Sequence, residues 1–131
     1  MNIKTEKKYL LIIFTSDFYK FYYALNTANT LSACNKKVSI FITGYSCNYI
    51  LQDWETFDNS DTVVKLKKNN LSSYHEVLSM CKDLGIGFFY CDTALDLLEK
   101  KNRKILDYID IAPVGLYYII NKFKNDEIIF I

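Results

Sequence analysis

The most constraining feature of the sequence is a run of six apolar residues at positions 9–14, directly after a lysine-rich start. The run has the length of one β-strand. It is continuous rather than alternating, which is typical of a strand covered on both faces of a parallel sheet. A strand of this kind needs helices on both sides of the sheet. The run therefore predicts an α/β fold.

The rest of the chain alternates between helical and strand patterns. Asp17 is placed to cap the first helix, and Ser72 or Ser73 to cap a later one that ends at Gly85. Pro113 is placed as the first residue of another helix. Helices are predicted at 18–34, 73–84, 92–98 and 113–124. Strands are predicted at 9–14, 38–42, 86–91 and 127–131.

Two segments carry weaker patterns. Residues 52–70 are rich in Asp, Asn and Lys, and their apolar content is Trp54, Phe57 and the patch at 63–66. We interpret them as a solvated surface excursion with room for a short strand; a functional segment or one covered by a partner is the alternative. The pattern at 105–111 fits no one element. Together the elements predict a single domain over 1–131: a three-layer α/β/α arrangement around a mostly parallel, five-stranded open sheet. Flavodoxin-like is the nearest architectural description.

Composition limits the classes of partner. The 131 residues are 50% hydrophobic and carry a formal net charge of +1, so no overall field favours nucleic acid or an anionic membrane. No apolar stretch approaches the roughly 20 residues that cross a bilayer. The basic start and short apolar run of 1–14 resemble a signal peptide, but polar residues follow instead of a cleavage site. We expect a soluble, cytoplasmic protein with reduced thiols.

Ligands of open α/β sheets bind beyond the carboxyl ends of the strands, and three predicted loops lie there. Cys91 ends a predicted strand and begins a helical turn, where its thiolate would meet the positive end of the helix, although the neighbouring Asp92 opposes that effect. A buried structural thiol is the ordinary alternative for any cysteine. The candidate site-lining residues of the three loops are Ser16, Asp17, Thr43, Gly44, Asp92 and Thr93.

The other cysteines suggest smaller roles. Cys81 is expected in the core, and Cys34 at a helix end packed against the sheet. Cys47 is a possible second thiol near Cys91, although an exposed bystander is the stronger expectation. His75, the one histidine, is expected at the surface, so no Cys-His pair is supported. With no CxxC motif and no His cluster, we expect no bound metal. With no GxGxxG motif and no P-loop, nucleotide cofactors lack their usual binding loops, and we expect no organic cofactor.

Four segments together resemble the DsrE/DsrF-like proteins, a family of small α/β domains that includes TusD-like sulfur-relay subunits. The resemblance extends over nearly the whole chain. Its most informative part is a helix ending at Leu84-Gly85 and a strand ending at Cys91. The segments are Tyr9 to Asp17, Ala24-Leu-Asn-Thr-Ala-Asn-Thr-Leu31, Val38-Ser-Ile-Phe-Ile-Thr-Gly44 and Leu84-Gly-Ile-Gly-Phe-Phe-Tyr-Cys91.

The resemblance implies that Cys91 accepts a sulfane sulfur as a persulfide and passes it to a partner's thiol, as a sulfur carrier or sulfurtransferase would. It also implies protein thiols as donor and acceptor, and a homo- or hetero-oligomer, a trimer or hexamer. Two alternatives stay open. One is a non-catalytic oligomeric binding or scaffold protein in which Cys91 is structural; the other is a small-molecule or nucleotide binder.

Overall fold

The computed structural model describes residues 7–131 and contains one five-stranded sheet in the order β4-β3-β2-β1-β5. Every strand pair is parallel, which confirms the predicted α/β class. The strands are β1 (Lys8–Ile13), β2 (Lys37–Ile42), β3 (Gly87–Cys91), β4 (Ala112–Val114) and β5 (Glu127–Phe130). The helices are α1 (Phe18–Ala33), α2 (Thr62–Lys68), α3 (Tyr74–Asp83), α4 (Asp92–Leu97) and α5 (Leu116–Lys122), with 3-10 helices at Gly44–Ile50 and Trp54–Phe57.

The sheet is most completely buried at β1 and β2, which lie inside the strand order. Leu10, Leu11, Ile12 and Ile13 of β1 are all buried, as the continuous apolar run predicts. β1 pairs with β2 from Lys8 opposite Lys37 to Ile13 opposite Ile42. This register brings the carboxyl ends of β1 and β2 level, so the loops that follow them lie side by side.

Local capping explains where the two longest helices begin. The Asp17 side chain accepts a hydrogen bond from the Tyr19 amide at the start of α1, as predicted. Ser73 and Glu76 form a reciprocal capping box at the start of α3. Helix α3 packs against α1, and Gly85, at φ +74°, lets the chain turn into β3.

Residues 52–70 differ from the sequence prediction. They contain a 3-10 helix and α2, not an irregular excursion, and residues 63–66 are helical, not a strand. Thr62 and Leu66 lie four residues apart on the buried side of α2. The Asp58 carboxylate accepts hydrogen bonds from the Thr62 and Val63 amides, so a residue outside the apolar pattern stabilises the beginning of this helix.

Pro113 also lies elsewhere than predicted. It stands in the middle of β4, opposite Tyr90, and α5 begins three residues later at Leu116. β4 is an edge strand that pairs only with β3, so a residue without an amide hydrogen is tolerated there. The unassigned segment 105–111 has no regular element; Ile105 bridges to Leu51, and Leu106 and Ile109 are buried.

Large apolar side chains of β5 and α5 remain exposed. Phe130 is 67% exposed, and in α5 Tyr117 is 83% exposed while Ile119 is fully buried. None of the helices within residues 7–131 has both the length and the apolar character to span a membrane. The pattern that resembles a signal peptide covers residues 1–14, of which 1–6 lie outside the described residues.

Candidate functional site

A cavity of about 300 Å³ lies where β1, β2 and β3 end. Each strand contributes the residue at or just after its carboxyl end: Phe14 from β1, Thr43 and Gly44 from β2, and Cys91 from β3. Helix α4 closes the opposite wall. The cavity is lined by Phe14, Thr43, Gly44, Tyr45, Cys91, Thr93, Ala94, Leu97 and Leu98, and we call it the Cys91 cavity.

Cys91 combines a cavity position with limited exposure. It is the last residue of β3 and the N-cap of α4, and it is 8% exposed. Its side chain makes no capping hydrogen bond. Cys81 is fully buried, as expected. Cys34 is exposed at the C-cap of α1, so the expectation that it packs against the sheet is wrong.

Cys47 lies beneath Cys91. It is fully buried, so the expectation of an exposed bystander is wrong. Its Sγ is 3.6 Å from the Ile42 carbonyl oxygen and 3.9 Å from the Cys91 carbonyl oxygen, so the two carbonyl groups share the single thiol hydrogen. Burial first, and the nearby Cys91 sulfur second, raise the pKa of Cys47 from 9.0 to about 12. Cys47 therefore stays a neutral thiol at pH 7, and a neutral thiol is a weak nucleophile.

Gly44 keeps the cavity wall in place. Its φ is +54°, a region that side chains disfavour, and a Cβ at this position would stand 2.3 Å from the Phe14 ring. The ring of Phe14 also meets the ring of Tyr45 edge-on and stacks on the ring of Phe130. The ring centroids are 5.6 Å and 6.0 Å apart, respectively. These exposed aromatic side chains, with Leu97 at 81% exposure, form an apolar rim at the mouth of the cavity.

Four of the sequence-predicted residues line the cavity, namely Cys91, Thr43, Gly44 and Thr93. Ser16 and Asp17 do not; they belong to the beginning of α1. There the Phe18 amide donates to Asn59, and the Tyr19 amide donates to Asp17 and Ser60. The Ser16 carbonyl accepts from Asn59 and from the Tyr49 hydroxyl. We call Asp17, Tyr49, Asp58, Asn59 and Ser60 the α1 cap cluster.

Charged side chains stay outside the cavity. Asp92, the remaining predicted residue, is not part of the lining, and its carboxylate lies 3.7 Å from the Lys101 ammonium group, which also pairs with Asp96 at 3.4 Å. Between residues 7 and 131, no charged residue lines the cavity. In the same range, no group of three or more His, Cys, Asp or Glu side chains is arranged to hold a metal ion.

The predicted site lacks the apolar part of the lining, which consists of Phe14, Tyr45, Ala94, Leu97 and Leu98. A signal for two of them exists in the sequence. Phe14 and Tyr45 are the aromatic residues nearest the ends of β1 and β2, and aromatic residues at strand ends face the same edge as the polar loop residues. The apolar residues of α4 carry no such signal, because their pattern is equally that of a core helix.

Comparison with known proteins identifies the fold. No protein-family model matches the chain, and a search of curated proteins finds no significant sequence match. The crystal structure of the YchN protein from E. coli matches with a TM-score of 0.65 at 10% identity, covering 97% of this chain and 100% of that chain. YchN has the DsrE/DsrF-like fold. The chain thus shares that fold.

Proposed function

We propose that this protein is a sulfur carrier in which Cys91 accepts a sulfane sulfur and passes it to a partner's thiol. The observation that carries the proposal is the position of Cys91, the one cysteine that lines the cavity at the carboxyl ends of the strands. Cys47 and Cys81 are fully buried, and Cys34 lies at the far end of α1 from the α1 cap cluster. The DsrE/DsrF-like fold supports the same role.

The chemistry needs one thiolate and no cofactor. The Cys91 thiolate attacks the outer sulfur of a donor persulfide, R–S–SH, forming a new S–S bond as the donor's S–S bond breaks. The donor leaves as the thiolate R–S⁻ with the bonding electron pair, and the proton stays on the transferred sulfur. An acceptor thiolate then attacks that sulfur and releases Cys91 as a thiolate. Cys47 stays protonated and therefore does not compete for the sulfur.

Intact-mass measurement tests the proposal. The protein is incubated with a persulfide donor in a Cys34→Ser background, because the exposed Cys34 thiol would also react. We expect a gain of about 32 Da, one sulfur, that a reductant reverses. Cys91→Ser should abolish the gain, whereas Cys47→Ser should keep it. An equal gain in Cys91→Ser would show that the sulfur resides elsewhere.

A second candidate function is a non-catalytic oligomeric binding or scaffold protein, and the exposed apolar residues of α5 and β5 favour it. Leu116, Tyr117, Tyr118 and Phe130 are each more than half exposed. Side chains of this kind are enriched in protein interfaces. This candidate predicts that Cys91→Ser leaves assembly and partner binding unchanged, which size-exclusion chromatography with light scattering measures.

A further inference from the structure

The Cys91 cavity combines a reactive side chain with walls that hold no charge. Its polar side-chain groups are the Cys91 thiol and the hydroxyls of Thr43, Tyr45 and Thr93, all of them uncharged, and the other lining residues are apolar or glycine. A charged group that leaves water for such walls loses its hydration and gains no ion pair in return. Outside the cavity, the carboxylates of Asp92 and Asp96 each form an ion pair with the Lys101 ammonium group.

The apolar character continues outward to the rim. Phe14 is 41% exposed, Tyr45 52% and Leu97 81%, and all three also line the cavity. A cavity of about 300 Å³ is at the small end of ligand-binding pockets. A cavity of this volume accommodates a cysteine side chain, and the exposed rim residues provide a wider surface around the cavity mouth. That shape fits a cysteine presented on a protein segment.

From these observations we propose, resting on the carrier function above, that the partner of Cys91 presents its cysteine on a segment with apolar neighbours. A cysteine flanked by acidic or basic residues is disfavoured, because those neighbours would be placed against Phe14, Tyr45 and Leu97. The same walls disfavour anionic small sulfur donors such as thiosulfate. The cavity thus selects its partner by the absence of charge around the sulfur.

The first arm of the test probes the cavity without sulfur transfer. Methanethiosulfonates, R–S–SO₂CH₃, react with a cysteine thiolate to give the disulfide Cys–S–S–R and release methanesulfinate. Reagents whose R group is propyl, sulfonatoethyl or trimethylammonioethyl differ in charge. Their rates at Cys91 are measured by intact mass in Cys34→Ser protein. Each rate is divided by the rate of the same reagent at Cys34 in Cys91→Ser protein, where the thiol is exposed.

We expect the normalised rate of the propyl reagent to exceed the normalised rates of both charged reagents by about tenfold or more. Leu97→Lys should restore the rate of the anionic reagent, and Leu97→Gln should not, since Leu97 is an exposed lining residue that tolerates either change. Equal normalised rates, or no reaction with any reagent, would overturn the proposal. So would dissociation of an oligomer by Leu97→Lys, because a second copy of the chain would then cover the rim.

The second arm uses capped pentapeptides whose central cysteine persulfide has two leucine, two aspartate or two lysine neighbours. Transfer to Cys91 should be fastest from the leucine peptide, again by about tenfold. Equal transfer from all three would overturn this inference and leave the carrier function standing. Charge selection in the first arm with no transfer from any peptide would refute the carrier function and the partner class, but keep the selective cavity.

Discussion

The α1 cap cluster and the Cys91 cavity lie at the same edge of the sheet, but one is filled and the other is open. After β1, the amides of Phe18 and Tyr19 meet side chains of Asp17, Asn59 and Ser60. After β3, no side chain caps α4, and a cavity of about 300 Å³ remains. Both places follow strands of one parallel sheet.

The difference follows from what each place demands. The beginning of α1 exposes backbone amides that need acceptors, and the β2–β3 connection supplies them from a distance of about 40 residues along the chain. The apolar walls of the cavity contain few groups that need a partner. No side chain from a distant segment covers the beginning of α4, so space remains beside Cys91. A chemical role is therefore available beside β3 that the covered end of β1 does not offer.

Of the changes near the α1 cap cluster, which is the filled side of this comparison, Phe18→Ala should lower the stability most. Phe18 is fully buried and stacks on Trp54 and Tyr74, so its loss should lower the free energy of unfolding by about 3–5 kcal/mol. Phe130→Ala is the matched change on the open side, where 67% exposure predicts a loss within about 0.5 kcal/mol. Urea unfolding measures both, and similar losses would refute the contrast.

Gly44→Ala should damage the open side. The positive φ of Gly44 costs an alanine about 1–3 kcal/mol, and the new Cβ must also displace the Phe14 ring. We therefore expect lower stability and a changed rate of Cys91 modification. Gly115→Ala is the control, since a Cβ there meets nothing within 4 Å. A Gly44→Ala protein as stable and as reactive as the wild type would show that the wall adjusts freely.

Asp58→Ala should weaken the filled side by removing the acceptor of the Thr62 and Val63 amides. Loss of a helix cap costs about 1–2 kcal/mol. Cys91 modification should stay unchanged, because Asp58 is not part of the cavity lining. Asp110→Ala, at an exposed position, serves as the control in the same denaturant titration. If Asp58→Ala altered Cys91 reactivity, the two regions would be coupled.

Alkaline pH should test how completely the buried Cys47 thiol is shielded from water. The Cys47 pKa is raised from 9.0 to about 12 in the folded state, so above pH 9 the unfolded chain loses this proton first and stability falls until about pH 12. From pH 8 to 10 this one group should cost about 1.4 kcal/mol. Cys47→Ala should remove that part of the decline. An unchanged profile would mean that water reaches Cys47.

Much of the fold was available from local patterns. The unbroken apolar run predicts a buried parallel strand, and Asp17 and Ser73 mark the helix starts that the structure shows. Two errors arose where the deciding partner is not part of the pattern. Residues 63–66 belong to a helix whose first amides donate to Asp58, and Pro113 is tolerated in β4 because that strand has only one neighbour.

For the site, local patterns are enough to predict that Cys91, Thr43 and Gly44 follow strands and so share one edge of a parallel sheet. Which loops remain open depends on tertiary contacts. These contacts bring Asn59 and Ser60 to the beginning of α1, leave the Cys91 cavity without charged lining residues, and bury Cys47 next to the Cys91 backbone. Short-range hydrophobic patterns encode the positions of the strands along the chain. Occupancy of a loop depends on side chains from distant segments, whose contacts no local pattern records.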